Sequence, residues 1–197
     1  MSNQYYRDWR RILSQFETTD GRDITPEELG QLFKNLNLQM FTTSPLKTLD
    51  NYGCIMKKCR DHGNPQAHYI ESIIEYFHCN NTNKGLFHLE QAANGLYDDG
   101  IYLYGLLLLC TGKIEEGKNK IATLGWETDT ARSDTSWKNI RQSLHGINVL
   151  IKARYHTNMQ RVKPEDTCHL NDMENRCEKC YHYKQMKRFV CFLNVDA

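Results

Sequence analysis

Apolar residues recur along this chain every three to four positions, and strict apolar–polar alternation is absent. That period is helical, so an all-α fold is predicted. Tyr6, Trp9, Leu13 and Phe16 fall on one face of a first helix. Thr25-Pro26-Glu27-Glu28 starts a second: Thr as N-cap, Pro in the first turn, Glu closing a capping box. Leu29, Leu32, Phe33 and Leu36 continue it. Residues 37–48, with Pro45, read as an irregular linker, and 49–60 as a third helix. Asn64-Pro65 is another cap-plus-proline start, opening a helix that turns Tyr69, Ile73, Ile74 and Phe77 inward. Helices over 85–93, 98–110 and 114–124 follow. Trp137, Ile140, Leu144, Ile147 and Ile151 then trace one long helix to about residue 155.

The middle of the pattern repeats. QAHYIESIIEYFHCNNTNKGLFHLEQAA overlies DGIYLYGLLLLCTGKIEEGKNKIATL, with Tyr69 on Tyr102, Ile73 on Leu106, Gly85 on Gly117 and Leu89 on Ile121. The offset of 32–33 residues suits a helix–turn–helix repeat, with an ordinary antiparallel bundle as the alternative. Glycine in the second helix of each pair lets it cross the first closely. Two pairs do not bury a core alone, so flanking helices must cap the stack.

Composition narrows the function without naming it. The chain has 197 residues, is 40% hydrophobic and 25% charged, and carries a formal net charge of +1, which demands neither a nucleic-acid nor a membrane partner. No apolar run approaches the ~18 residues of a membrane span, and the polar N-terminus lacks a signal-peptide core. An intracellular location, cytoplasm or nucleus, is expected. Phosphate loops, nucleophile elbows and His-Glu zincin patterns are absent, so no enzyme is expected. Asp98-Asp99 and Glu115-Glu116 stand at helix starts, where acids suit the helix dipole.

Two segments carry candidate metal chemistry. Residues 4–37 resemble a degenerate EF-hand, with Ile24 at the apolar loop position. Glu17, Thr19, Asp23, Thr25 and Glu28 then fall on ligand positions, but Gly21 offers no side-chain oxygen and Arg22 replaces the turn glycine. Calcium is not expected, and Asp20-Gly21 reads as a structural turn. The tail is richer. Cys177-x2-Cys180 has zinc-knuckle spacing, and Cys168 and Cys191 complete a four-thiolate set, with His169 and His182 as alternates. A structural zinc is expected there; a redox CxxC and plain packing are the rivals. Arg176, Lys179, Lys184, Lys187 and Arg188 surround the site as solvated charge or as contacts for an acidic partner. Tyr69, Tyr76, Tyr102 and Tyr104 are candidates to line a protein-binding groove between repeats, with core packing as the competing use.

Three stretches carry a family resemblance: GNPQA followed by EYF, the G-x3-L-x2-A turn, and the cysteine-rich tail CHLNDMENRCEKCYHYKQMKRFVCFL. Over residues 46–193 the chain resembles plant F-box proteins, in which an F-box precedes tetratricopeptide- and Sel-like repeats and a cysteine-rich tail. The Leu-Pro start of an F-box is missing from residues 1–45. The resemblance implies a protein-binding helical repeat, a protein target and a ubiquitin-ligase substrate-receptor role, with a ligase adaptor as partner if residues 1–45 form a divergent F-box. Three regions are expected: a helix–loop–helix over 1–45, a stack of helical hairpins over 46–160, and a cysteine-rich, zinc-binding tail over 161–197. The alternative function is a metal-responsive regulator, through zinc or redox chemistry at the tail or weak calcium at 17–28.

Overall fold

The computed structural model describes residues 25–165 and 167–195, and all regular structure among them is helical. The expected helix through Phe16 and most of the loop at 17–28 lie outside the described residues. Helix α1 (Pro26–Asn35) starts with the expected capping box: Thr25 Oγ1 accepts the Glu28 N–H, and the Glu28 carboxylate accepts the Thr25 N–H at 2.9 Å. Segment 37–48 is not irregular. It holds a short helix α2 (Gln39–Thr42) that buries Phe41, and at Pro45 it enters helix α3 (Pro45–Asp61). Proline sits at the first helical turn, where its missing N–H has no partner to lose. Helix α3 kinks at Tyr52 (φ −131°, ψ 16°).

Helix α4 (Pro65–Ile73) is capped as expected by Asn64. The buried Asn64 amide does more than cap. Its oxygen accepts from the Gln66 and Ala67 N–H groups, while Nδ2 donates to the carbonyls of Phe33 and Leu36 at 3.1 and 2.8 Å. One side chain thereby closes the end of α1 and the start of α4. Phe33, Leu36, Leu38, Phe41, Ile55 and Ile70 pack around this junction.

The repeat is a physical one. Helix α4 runs into a π-helical segment (Ile74–His78) and pairs with α5 (Thr82–Asn94); α6 (Asp98–Thr111) pairs with α7 (Ile114–Ala122). A Cβ placed on Gly85 would meet Tyr76 at 2.5 Å, and one on Gly117 would meet the Gly105 carbonyl and Leu109 at 2.8 Å. Tyr76 and Leu109 are equivalent repeat positions, so both hairpins close on the same glycine seam. The offset is 33 residues in the first helices and 32 in the second. The π segment, with its Cys79 N–H donating to the Ile74 carbonyl, accommodates the extra residue in the first pair. Helix α6 is buried along nearly its whole length and forms the centre of the core, with Leu103, Leu106, Leu107 and Leu109 fully covered.

The predicted long helix is two helices, α8 (Ala131–Leu144) and α9 (Ala153–Val162). Gly146, at φ +77°, breaks it, and residues 145–152 cross without helix. The last helix, α10 (Tyr181–Val195), does not stand apart from the hairpins as a tail. Met186, Phe189, Val190 and Leu193 join the same hydrophobic cluster as α4 to α9. No helix among the described residues is long and apolar enough to cross a membrane.

Candidate functional site

The tail between α9 and α10 brings together Cys168, His169, Cys177 and Cys180, whose ligand atoms all lie within 4.8 Å of one another. The local turn explains the convergence. The Cys177 carbonyl accepts the N–H groups of Cys180 (3.1 Å) and Tyr181 (2.8 Å), folding the CxxC back so that both thiols face one point. Cys168 Sγ lies 3.4 Å from Cys177 Sγ. In tetrahedral zinc–thiolate geometry with ~2.3 Å bonds, sulfurs stand about 3.8 Å apart, so the donor set fits a metal ion with a small adjustment. Hydrogen bonds from Cys168 and His169, then the Cys180 backbone N–H, pull the Cys177 thiol down to about 6. Burial pushes Cys180 up to about 12. The opposed shifts favour one thiolate and one thiol until a cation joins them; a bound divalent ion would deprotonate both.

The fourth ligand-capable group in the cluster is His169, an alternate in the spacing argument. Cys191 falls on the exposed side of α10 and is not in the group. A residue eleven positions past Cys180 could approach the knuckle only through a loop, and residues 181–195 are helical. His182 is also excluded. It is buried edge-on to Trp126, with ring centroids 5.5 Å apart, and its Nε2 has no hydrogen-bond partner. Burial pushes its imidazole down to about 4.

The structure adds a residue that the sequence reading classed with surface charge. Lys184 is 1% exposed, and its ammonium donates to the carbonyls of Asp172 and Asn175 in the loop between the cysteines. It lies four residues after Cys180, one helical turn on, which is the signal that would have placed it on the knuckle's side of α10. Tyr181 meanwhile stacks flat on Trp126, with centroids 3.9 Å apart and planes 8° from parallel. The knuckle is thereby fixed to the turn after α7. Among the other tail cations, Arg176 donates to the Thr128 carbonyl, and Arg188 donates to the Tyr102 hydroxyl and pairs with Asp134 at 3.3 Å.

The tyrosines proposed for a groove separate. Tyr69, Tyr76 and Tyr102 are at most 3% exposed and bond to Ser143, Tyr155 and Gln185 respectively. They hold helices together and offer no surface to a partner. Tyr104 is partly exposed, under the Lys120 ammonium.

A family model described as plant tetratrico peptide repeats matches residues 39–148. An F-box protein of Arabidopsis thaliana is 43% identical over 109 residues, covering 52% of this chain and 66% of that protein. A putative F-box protein of the same plant is 31% identical over 71 residues, covering 36% of this chain and 23% of that protein. The chain therefore matches less than two thirds of either relative. No solved structure matches. The resemblance to plant F-box proteins with helical repeats is borne out, and the family match spans the hairpins but not the cysteine-rich tail.

Proposed function

Because the chain belongs to the plant tetratrico peptide repeat family, we propose that it is a non-enzymatic protein-interaction module that recruits a protein target to a ubiquitin ligase. The observation that supports this most is the glycine-seamed pair of hairpins, which lies within the residues matched by the repeat family, beside 43% identity over 109 residues to an F-box protein. Tight seams make the stack a rigid platform, and rigid platforms bind with little ordering cost. The ligase half of the reading rests on the relatives' names. Pull-down of the full chain with a purified ligase adaptor tests it: the adaptor is expected in the bound fraction, and a chain that captures protein targets but never the adaptor would leave only the interaction module.

We further propose that Cys168, His169, Cys177 and Cys180 hold a structural zinc ion. Three thiolates and a neutral imidazole around a divalent ion leave one net negative charge, and Lys184 stands near enough to favour the Cys180 thiolate. All four donors are protein groups, so the ion would pin the loop and carry no open catalytic position. A second reading, release of the metal on oxidation, is favoured by the Cys177 thiol, which hydrogen bonds from Cys168 and His169 pull down to about 6. Metal analysis of the purified chain decides the first; metal retained through mild peroxide treatment would exclude the second.

A further inference from the structure

A cavity of about 910 Å³ opens between α8 and the end of α10, away from the cysteine loop. Its walls are Trp137, Lys138, Arg141 and Gln142 from α8, His145 just past its end, Phe192 from α10 and Thr43 from the turn after α2. The charge in it has one sign: no aspartate or glutamate lines it among the described residues. Lys138 and Arg141 are exposed and form no ion pair among those residues. The nearest acid along α8, Asp134, is already paired with Arg188.

The aromatic floor is held in place. Trp137 meets Phe192 edge-on at 5.7 Å between centroids, and the Arg188 guanidinium covers its ring at 5.0 Å. Arg141 is exposed and lies over the Phe192 ring at 5.7 Å, a contact that orients its guanidinium before any partner arrives. Arginine and tryptophan set in a concave, preorganised patch are the groups that most often carry binding energy at protein interfaces. Nothing in the body of the fold requires Lys138, Arg141 and His145 on this face, since the buried side of α8 is Ser133, Ser136, Ile140, Ser143 and Leu144.

We propose that this groove docks an acidic peptide segment of a partner protein, with carboxylates on Arg141 and Lys138 and one apolar side chain against Trp137 and Phe192. Charge complementarity selects the occupant. A nucleic acid is the less favoured polyanion, because three basic residues on one face do not form the extended track that a phosphate backbone needs, and the chain's net charge is only +1. The proposal rests on the protein-interaction reading and gives it an address: the outer face of α8, away from the tyrosines expected to bind.

The test is fluorescence anisotropy of a labelled glutamate-rich peptide bearing one central leucine, against the full chain. Wild type is expected to bind at low salt, with affinity falling as salt rises. The double substitution K138E/R141E is expected to weaken binding by at least about tenfold while leaving the melting transition in place, since both side chains are exposed. A glutamine version of the peptide should not bind. Absence of binding by wild type, equal binding by K138E/R141E, or tighter binding of an oligothymidine of equal charge would each overturn the proposal. Capture of protein targets from plant extract by wild type and K138E/R141E alike would remove this groove while leaving the interaction reading intact; capture by neither would remove that reading instead.

Discussion

Gly85 touches Tyr76 so closely that no side chain fits between them: a Cβ there would stand 2.5 Å from the tyrosine Cβ and 2.7 Å from its backbone nitrogen. The obstacle is backbone and the root of a side chain, neither of which can swing away. Gly85→Ala is therefore expected to force α4 and α5 apart and cost about 1–3 kcal/mol, despite the helix propensity it gains. Gly53 provides the contrast. It is also helical, but an added Cβ would meet only Leu49 Cδ1 at 3.8 Å, so Gly53→Ala should stabilise by about 0.5–1 kcal/mol. Urea denaturation of the two variants should move in opposite directions; equal shifts would mean the seam is not rigid.

Asn64 joins two helices through one amide, and its two ends are separable. Asn64→Asp keeps the cap oxygen but replaces the donor to the Phe33 and Leu36 carbonyls with another acceptor. Asn64→Ala loses both. Because a buried carboxylate facing two carbonyls is worse than an empty site, Asp is expected to be at least as destabilising as Ala, each by about 2–4 kcal/mol. If Asp proves close to wild type, the cap alone matters and the tie to α1 contributes little.

These two residues also show what the sequence could and could not disclose. Asn64-Pro65 and Thr25-Pro26-Glu27-Glu28 were legible because a cap acts within four residues. The glycine seam was legible because it occurs twice in register. The break at Gly146 was not, since Leu144 and Ile147 are both buried and keep the apolar pattern unbroken across a left-handed residue. Sequence alone leaves Tyr69, Tyr76, Tyr102 and Tyr104 open between a groove and the core; the first three go to the core because Ser143, Tyr155 and Gln185, each more than 70 residues away in sequence, satisfy their hydroxyls. In the tail, spacing identified Cys168, Cys177 and Cys180, but choosing His169 over Cys191 required knowing that 181–195 is helix.

The His68–His88 pair gives the fold a pH dependence. Their Nδ1 atoms are 3.0 Å apart, so one must donate and the other accept, which two imidazolium rings cannot do. Burial first, then His88 and Arg60, push His68 down to about 4 from its ordinary 6.5, and burial lowers His88 as well. Glu71 and Glu75 also face the pair and work the other way at His88, but Arg60 and Lys84 are paired with them. The folded chain thus binds fewer protons than the unfolded one between pH 4 and 6.5. Stability is full above that window and is lost as pH falls through it, by about 1–2 kcal/mol at pH 5 after allowing for partial solvent exposure. Denaturation midpoints at pH 7.5 and pH 5 should show the loss, and His68→Gln should shrink it. An unchanged loss in that variant would assign it to other groups.

The tail provides a prediction in which metal and lysine are read separately. Lys184 holds the Asp172 and Asn175 carbonyls, and the Cys168–Cys180 donors close the same loop from the other side. Lys184→Met keeps the buried stem and removes the ammonium, leaving two carbonyls short of a donor, for an expected cost of about 2–3 kcal/mol. Cys177→Ser should abolish metal retention, with the purified wild type holding close to one zinc per chain. If both residues serve one loop, chelation should destabilise wild type more than it destabilises Cys177→Ser, and Lys184→Met should bind zinc more weakly, because a net negative metal–thiolate cluster would lose the cation that favours the Cys180 thiolate. Trp126, stacked on Tyr181 directly after Cys180, reports the change: its fluorescence should shift when the chelator acts on wild type and stay constant in Cys177→Ser. A chelator that leaves both the melting transition and that emission unchanged would show that the four donors pack without a metal.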